Sequence, residues 1–562
     1  MLAFQKFPYH RIDFDDLSKR YADHLRAFQE AENVSAAYYS LIEMDYLQRV
    51  FTSYATVSEA GATNDSYDAF WQEEERWFSE NRPKFELLMQ RRNEAICSSV
   101  HRAALQELLG EEMIDRAELQ RMTVNEAALP LLQRENELSM RYSLLVSQLS
   151  AEDGGETLTM PDMKKRGAST ERETRKKYAL MAERAYMGIS DELDALYDDM
   201  VRVRTNVARA TGFDNLTDYC LAKHGRTGYG RAELRRFAQS VENDLVPLVK
   251  KLFQEQEACM GHPVKYYDEG SLFPGRNVEV ADDPLPAFSS VFRRLSPETK
   301  VFFDELTERR FFDLELRPGK TMGAYSNYLP LCQMPYIFET YNATEGAVRT
   351  FAHECGHGLH SYLHRGELVT DAAACSSDVA ETHSMSMEFF IWRHLDELVS
   401  KDDIPLYQYR HLRDSLAFIP YGTAIDCFQT EVYDHPELSP KERLELWKGL
   451  ERHFLPWRKY EEGLFYDQGR AWQGQIHVMK WPFYYIDYVL AQVCALQFFA
   501  LDTQDPDRAW DAYLRLLKNS GEYSFPKTIS QAGLKVPFED GVIASIARFA
   551  GTYHKRWIYS ET

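Results

Sequence analysis

The stretch TEGAVRTFAHECGHGLHSYLHR, residues 344–365, and SSDVAETHSMSMEFF, residues 376–390, decide how the rest of the chain is read. At the centre is an H-E-x-x-H pattern, His353-Glu354-Cys355-Gly356-His357. Side chains four apart share one face of an α-helix, so His353 and His357 can direct two imidazoles at one ion. Glu354 is rotated by about 100° from His353. That puts its carboxylate beside the ion, placed to accept a proton from water activated there. The flanking residues predict the helix itself. Asn342 or Thr344 can cap its N-terminus, and Glu345 complements the positive first turn. Val348, Phe351, Ala352, Cys355, Leu359, Tyr362 and Leu363 recur at three- and four-residue spacing. Gly356 and Gly358 each cost about 1 kcal/mol in a helix relative to Ala, which points to a close approach by another segment.

A catalytic zinc keeps three protein ligands and one open position, so a third ligand must come from elsewhere. The metzincin pattern would place Gly at position 360 and His at 363, but the chain has His360 and Leu363. The remaining candidates are Glu367, Glu381 and Glu388. Glu367 follows Gly366 at the expected helix end, too close to swing back. Glu381 lies far enough beyond His357 for a helix end, a turn and a returning helix, which Asp378 can cap. Glu388 follows about two turns later on the same face. It is either a carboxylate holding an imidazole N–H or an ordinary solvated one. His360 and His364 read as packing or surface histidines.

The H-E-x-G-H-x-x-H core and the V-A-E-x-x-x-x-x-x-E stretch around Glu381 resemble the M3 zinc oligopeptidases, the thimet oligopeptidase and oligoendopeptidase F group. The short bacterial oligoendopeptidase F branch is the nearest in pattern, over roughly residues 200–550. The resemblance implies a mainly α, gluzincin-type fold with a small antiparallel β-sheet beside the zinc-binding helix and a deep substrate channel. It also implies one Zn2+ per chain on His353, His357 and Glu381, with Glu354 as general base.

Composition limits the rest. The chain has 562 residues, 44% hydrophobic and 27% charged, ample for a large core. A formal net charge of −22 weighs against nucleic-acid and anionic-membrane partners. No apolar run of signal-peptide or membrane-spanning length is present. Eight scattered cysteines without C-x-x-C predict reduced thiols and a cytoplasmic location.

Taken in order, residues 1–170 are expected to form a helical domain that walls or lids the cleft. Its helices are expected at Phe14–Glu32, Ala36–Thr56, Asp65–Ser79 and Arg82–Leu109, with breaks at Asn64-Asp65 and Asn81-Arg82-Pro83. Gly154-Gly155 predicts a small hairpin. Residues 171–562 are expected to be the catalytic domain, opening on a long helix to Ala210 started by a Thr170/Glu173 capping box. Residues 261–288 read as an irregular excursion. Alternation over Phe312–Leu316 and Tyr336–Phe338 predicts two or three short antiparallel strands before the metal helix. A peptide could add to that sheet edge, making Gly323, Ala324, Tyr325, Ser326, Pro335, Tyr336 and Ile337 candidate substrate binders. After Phe390 the chain reads as helical to Gln429.

A second chemical stretch contains His477 and the tyrosines Tyr484, Tyr485 and Tyr488. Peptide hydrolysis develops an oxyanion, and Tyr O–H and His N–H are suitable donors to it. Such a run alone is more often core aromatics; the family resemblance implies transition-state and substrate contacts, matched best by His477 and Tyr488. The expected activity is internal cleavage of short oligopeptides. One rival is a gluzincin exopeptidase, which would need a charged anchor for a free terminus. Another is a helical scaffold with a structural zinc, which would be closed by four ligands and have no use for Glu354.

Overall fold

The computed structural model describes residues 3–271 and 277–558, with side chains as far as His554. Three long helices open the chain: α1 (Phe14–Gln29), α2 (Val34–Asn64) and α3 (Ala69–Ser98). Asp13, Asn33 and Asp68 cap them, each side chain accepting backbone N–H groups of the first turn. The break expected at Asn81-Arg82-Pro83 does not occur, and α3 runs through Pro83. An internal proline costs about 3 kcal/mol. Buried Phe78 and Phe85 on either side of it pack on Phe51, with ring centroids 5.5 and 4.3 Å away, and hold the helix together.

Strands β1 (Ser150–Asp153) and β2 (Glu156–Thr159) form the expected hairpin, turned by Gly154 and Gly155 at φ 62° and 90°. The Thr170/Glu173 box does not form. Its counterpart lies one helix earlier, where Thr159 and Asp162 cap each other. The long helix expected to Ala210 is two, α4 (Arg172–Gly188) and α5 (Ser190–Ala210), interrupted at Ile189. Part of the 261–288 excursion, residues 272–276, lies outside the described residues. Before it, buried Asp268 is packed and paired with Arg172 and Arg175 at 3.0 and 2.9 Å.

The sheet beside the H-E-x-x-H helix has three strands: β3 (Phe312–Asp313), β4 (Ala324–Leu329) and β5 (Met334–Glu339), in the order β3-β5-β4. Strands β4 and β5 pair antiparallel, as expected, but β3 runs parallel to β5. The chain between β3 and β4 crosses the sheet and is pinned by Lys320. Its ammonium donates to Asp313 Oδ1 at 2.7 Å and to the Glu339 carbonyl at 2.8 Å.

Next come α6 (Glu345–Leu363) and α7 (Ser377–Phe390). The uninterrupted helix expected after Phe390 is broken by a 3-10 stretch, Ile391–Glu397, in which His394 has non-helical φ −136°. Then follow α8 (Ile404–Asp434), α9 (Tyr485–Asp502) and α10 (Pro506–Asn519). The main core packs α6 to α10 together through residues such as Phe351, Met387, Ile419, Val493 and Tyr513. A second core holds Tyr21, Phe51, Phe78, Phe85 and Ile96. Helix α2 serves both, giving Leu41 and Phe51 to the second and Val57 and Ala60 to the first. No described helix is long and apolar enough to cross a membrane.

Burial depresses several histidines, His224 to about 3 and His477 and His554 to about 4. Unfolded, these imidazoles titrate near 6.5. At these three sites the unfolded chain binds more protons below that pH than the folded one, so their contribution to stability falls as pH drops from 6.5 toward 4. The difference in thermal midpoint between wild type and His554→Asn should therefore be constant at alkaline pH and move in the variant's favour as pH falls below about 6. A difference that does not change with pH would mean that this imidazole is charged in the fold.

Candidate active site

Thr344 caps α6, its Oγ1 accepting the Ala347 N–H at 3.2 Å and donating to Asn342 Oδ1 at 2.7 Å. Of the two expected caps, Asn342 therefore supports and Thr344 acts. The two glycines have the close neighbours their cost implied. A Cβ at Gly356 would sit 2.7 Å from the Ser384 Cα and 2.8 Å from the His383 carbonyl oxygen, where α7 crosses α6. One at Gly358 would meet the Phe302 ring at 2.9 Å. Because the Gly356 neighbours are backbone, they cannot give way. Gly356→Ala should therefore cost at least about 1–3 kcal/mol of stability and separate the helices that carry the metal-type donors. Denaturant unfolding and metal content of the variant check this together.

The crossing brings Glu381, which is 3% exposed, onto the two imidazoles. Its Oε2 lies 3.2 Å from His353 Nε2 and 3.5 Å from His357 Nε2. Burial pushes the carboxyl upward, but His357 and His353 outweigh it and hold Glu381 well below the usual carboxylate range. Asp378 sits inside the first turn of α7, accepting from Val379 N–H at 2.8 Å and Tyr229 O–H at 2.6 Å, while Ser376 occupies the cap position.

Glu388 is no solvated carboxylate. Its Oε1 lies 2.8 Å from His353 Nδ1 and its Oε2 3.1 Å from His411 Nε2. Trp392 Nε1 donates to His411 Nδ1 at 3.0 Å. An indole N–H can only donate, so His411 carries its proton on Nε2 and gives it to Glu388. Despite burial, hydrogen bonds from His353 and His411 keep the Glu388 carboxyl at about 2. As an ionised acceptor it orients His353 Nδ1–H and leaves the Nε2 lone pair facing Glu381 and His357. Glu354 is buried beside them, its pKa raised by burial and only partly pulled back by His353 and His357.

The second stretch closes on the same point. Tyr484 O–H donates to Glu381 Oε1 at 3.0 Å, the oxygen facing away from the imidazoles. Tyr485 lies 4.7 Å and Tyr488 5.8 Å from His477, ring centre to ring centre, and Tyr484 and Tyr488 lie 5.3 Å apart. Tyr421 O–H donates to Gln475 Oε1 at 2.8 Å, which turns the Gln475 amide N–H toward His477 Nδ1, also at 2.8 Å. His477 therefore holds its proton on Nε2. Burial keeps the ring neutral, depressed to about 4. At the start of α9, buried Asp487 pairs with Arg226 Nε at 2.9 Å and anchors the tyrosine turn.

The structure thus gathers His353, Glu354, His357, Glu381, Glu388, His477, Tyr484, Tyr485 and Tyr488. Sequence reasoning missed His411, Trp392, Tyr421, Gln475 and Arg226. Only Gln475, two residues before His477, carried a local signal. The expected sheet binders divide. Gly323, Ala324, Tyr325 and Ser326 lie at or on β4, an edge strand. Pro335, Tyr336 and Ile337 lie on β5, the buried central strand, and this corrects their expected role. Proline has no N–H, and the Ile337 N–H already donates to the Phe311 carbonyl at 3.0 Å.

Residues 4–124 match the family described as Peptidase M3 N-terminal domain, and residues 293–548 match Peptidase family M3. The fold superposes on PZ peptidase A with an inhibitor at TM-score 0.93 and 32% identity, covering 98% of this chain and 99% of that one. It superposes on a structure described as oligoendopeptidase F at TM-score 0.93 and 32% identity, covering 100% and 99%. Oligopeptidase PepF of Bacillus subtilis (strain 168) is 22% identical over 263 residues, 45% of this chain and 38% of that relative's length.

Proposed function

The chain belongs to peptidase family M3, in its oligoendopeptidase F group, and from that membership we propose that it is a zinc-dependent endopeptidase of short oligopeptides. The observation that carries this reading is the convergence of His353 Nε2, His357 Nε2 and Glu381 Oε2, with separations of 3.2 and 3.5 Å to the carboxylate. Donors about 2.1 Å from one zinc at tetrahedral angles lie about 3.4 Å apart, so the residues fit the ion. Two imidazoles and a carboxylate are its usual catalytic set, and the Glu388 contact to His353 is the accompanying support.

When bound, zinc supplies Lewis acidity and makes water a nucleophile near neutral pH. Glu354 takes the proton of the attacking water and delivers it to the leaving amine. His477 Nε2–H and Tyr488 O–H donate to the carbonyl oxygen as it gains charge. Tyr484 has a different task, holding the Glu381 carboxylate by its outer oxygen, and Tyr485 packs against His477 to fix that ring. An extended substrate aligns along the free edge of β4 near Gly323–Ser326. The helical N-terminal region walls the cleft and restricts entry to short peptides. The acidic balance and free cysteines support a cytoplasmic enzyme without nucleic-acid or membrane partners.

The test is an internally quenched peptide of about ten residues with both ends blocked, incubated with zinc-loaded and metal-stripped protein. Internal cleavage, located by product masses and abolished by stripping, is expected. Cleavage of only the free-ended peptide would replace this reading with an exopeptidase. Survival of both peptides would leave a scaffold with a structural metal.

A further inference from the structure

One turn beyond His357 on α6, His360 meets His383, which α7 turns about 200° away from Glu381. Cys375, in the link before α7, joins them. One ligand atom from each of the three lies within 4.8 Å of the others. The imidazole centroids are 4.5 Å apart, with planes 27° apart.

Ser520 settles the His383 tautomer. Its Oγ–H donates to the Leu516 carbonyl at 2.7 Å, so at 2.8 Å its oxygen must accept from His383 Nε2–H. The lone pair is therefore on Nδ1. His383 is 0% exposed, and among the described residues its Nδ1 has no hydrogen-bond partner. His360 Nε2 is likewise buried and unpartnered. An unsatisfied buried polar atom costs about 1–3 kcal/mol, and the two imidazoles that carry these atoms share a cluster with the Cys375 thiol.

We propose that His360, His383 and Cys375 form a second metal site, separate from the His353–His357–Glu381 centre, that takes a zinc ion through two imidazole nitrogens and a thiolate. Sulfur selects zinc over magnesium, calcium or manganese. Binding displaces the Cys375 thiol proton to solvent and needs no oxidant or reductant. A cavity of about 120 Å3 lined by Tyr328, His360, His364, Thr370, Ala373 and Ala374 reaches the cluster at His360 and offers a route in. The site ties α6, α7 and the intervening link together next to the residues that carry the first three donors, so its occupancy braces their crossing.

The two sites differ in donor chemistry, a carboxylate oxygen completing the one pair of imidazole nitrogens and a thiolate sulfur the other, and cobalt(II) separates them. Metal-stripped full-length protein is titrated with cobalt(II), following near-ultraviolet thiolate-to-cobalt absorption, and zinc per chain is measured after dialysis. Two equivalents are expected, one of them carrying the thiolate band. Cys375→Ser should lose that band and one equivalent yet keep the other. His360→Gln should do the same, and serves if the first variant fails to fold. His353→Ala should lose an equivalent and retain the band. A single equivalent without a thiolate band in the wild type would overturn the proposal. So would a band that survives both Cys375→Ser and His360→Gln, since it would belong to another of the eight cysteines. None of these readouts depends on peptide cleavage, so a failed peptidase reading would leave them intact.

Discussion

Glu354→Gln is expected to keep its metal and lose about 10²- to 10⁴-fold in kcat, or roughly 3–5 kcal/mol of transition-state stabilisation. The substitution preserves volume and planarity, which matters because Glu354 is only 7% exposed and a smaller residue would leave a cavity. What disappears is the ability to accept a proton. Burial raises this carboxyl above its usual range, which brings it closer to the pH at which it must both take and release a proton. KM should change little, because the lost interaction forms on the way to the transition state. The check is steady-state kinetics on the blocked peptide, with zinc per chain measured in the same preparation. Turnover within tenfold of wild type, with zinc bound, would assign the base elsewhere.

Glu381→Ala and Glu388→Ala should separate cleanly in metal retention. Glu381 supplies one of three converging donors, so its loss should leave protein that fails to hold stoichiometric zinc through dialysis. Glu388 touches no proposed ion. It accepts from His353 Nδ1 and His411 Nε2 at 2.8 and 3.1 Å. Its removal strands two buried imidazole N–H groups and frees the His353 ring, which should weaken zinc about 10- to 100-fold without abolishing binding. Competition against a chelator of known affinity measures both variants on one scale. Equal losses would overturn the division of roles between the two carboxylates, and a larger loss from Glu388→Ala would assign the third donor to Glu388.

How far each feature could be read from sequence depended on how local it was. The H-E-x-x-H face was legible because a helix fixes the directions of residues four apart whatever surrounds it. Glu381 was legible through its spacing and the resemblance. His411 was not, since a buried histidine on a distant helix has no pattern of its own. Its role exists only because Trp392 and Glu388 flank it. Pro83 misled for the complementary reason. A proline is a local break signal, and here the aromatic packing around Phe78 and Phe85 overrides it.

By itself the sequence located the helix that carries His353, Glu354 and His357, narrowed its cap to Asn342 or Thr344, and offered three carboxylates for a third donor, while the resemblance singled out Glu381 and the His477 and tyrosine stretch. The helix, its cap and the candidate carboxylates follow from periodicity, capping chemistry and ligand type, all properties of short segments. Tertiary structure alone decided that Gly356 lets α7 come within backbone contact of α6, and that Tyr484 holds Glu381. It also decided that β5 is central, with β4 on the free edge. Each of these depends on how two segments distant in the chain meet, and that is set by the packing of the whole core rather than by any local spacing.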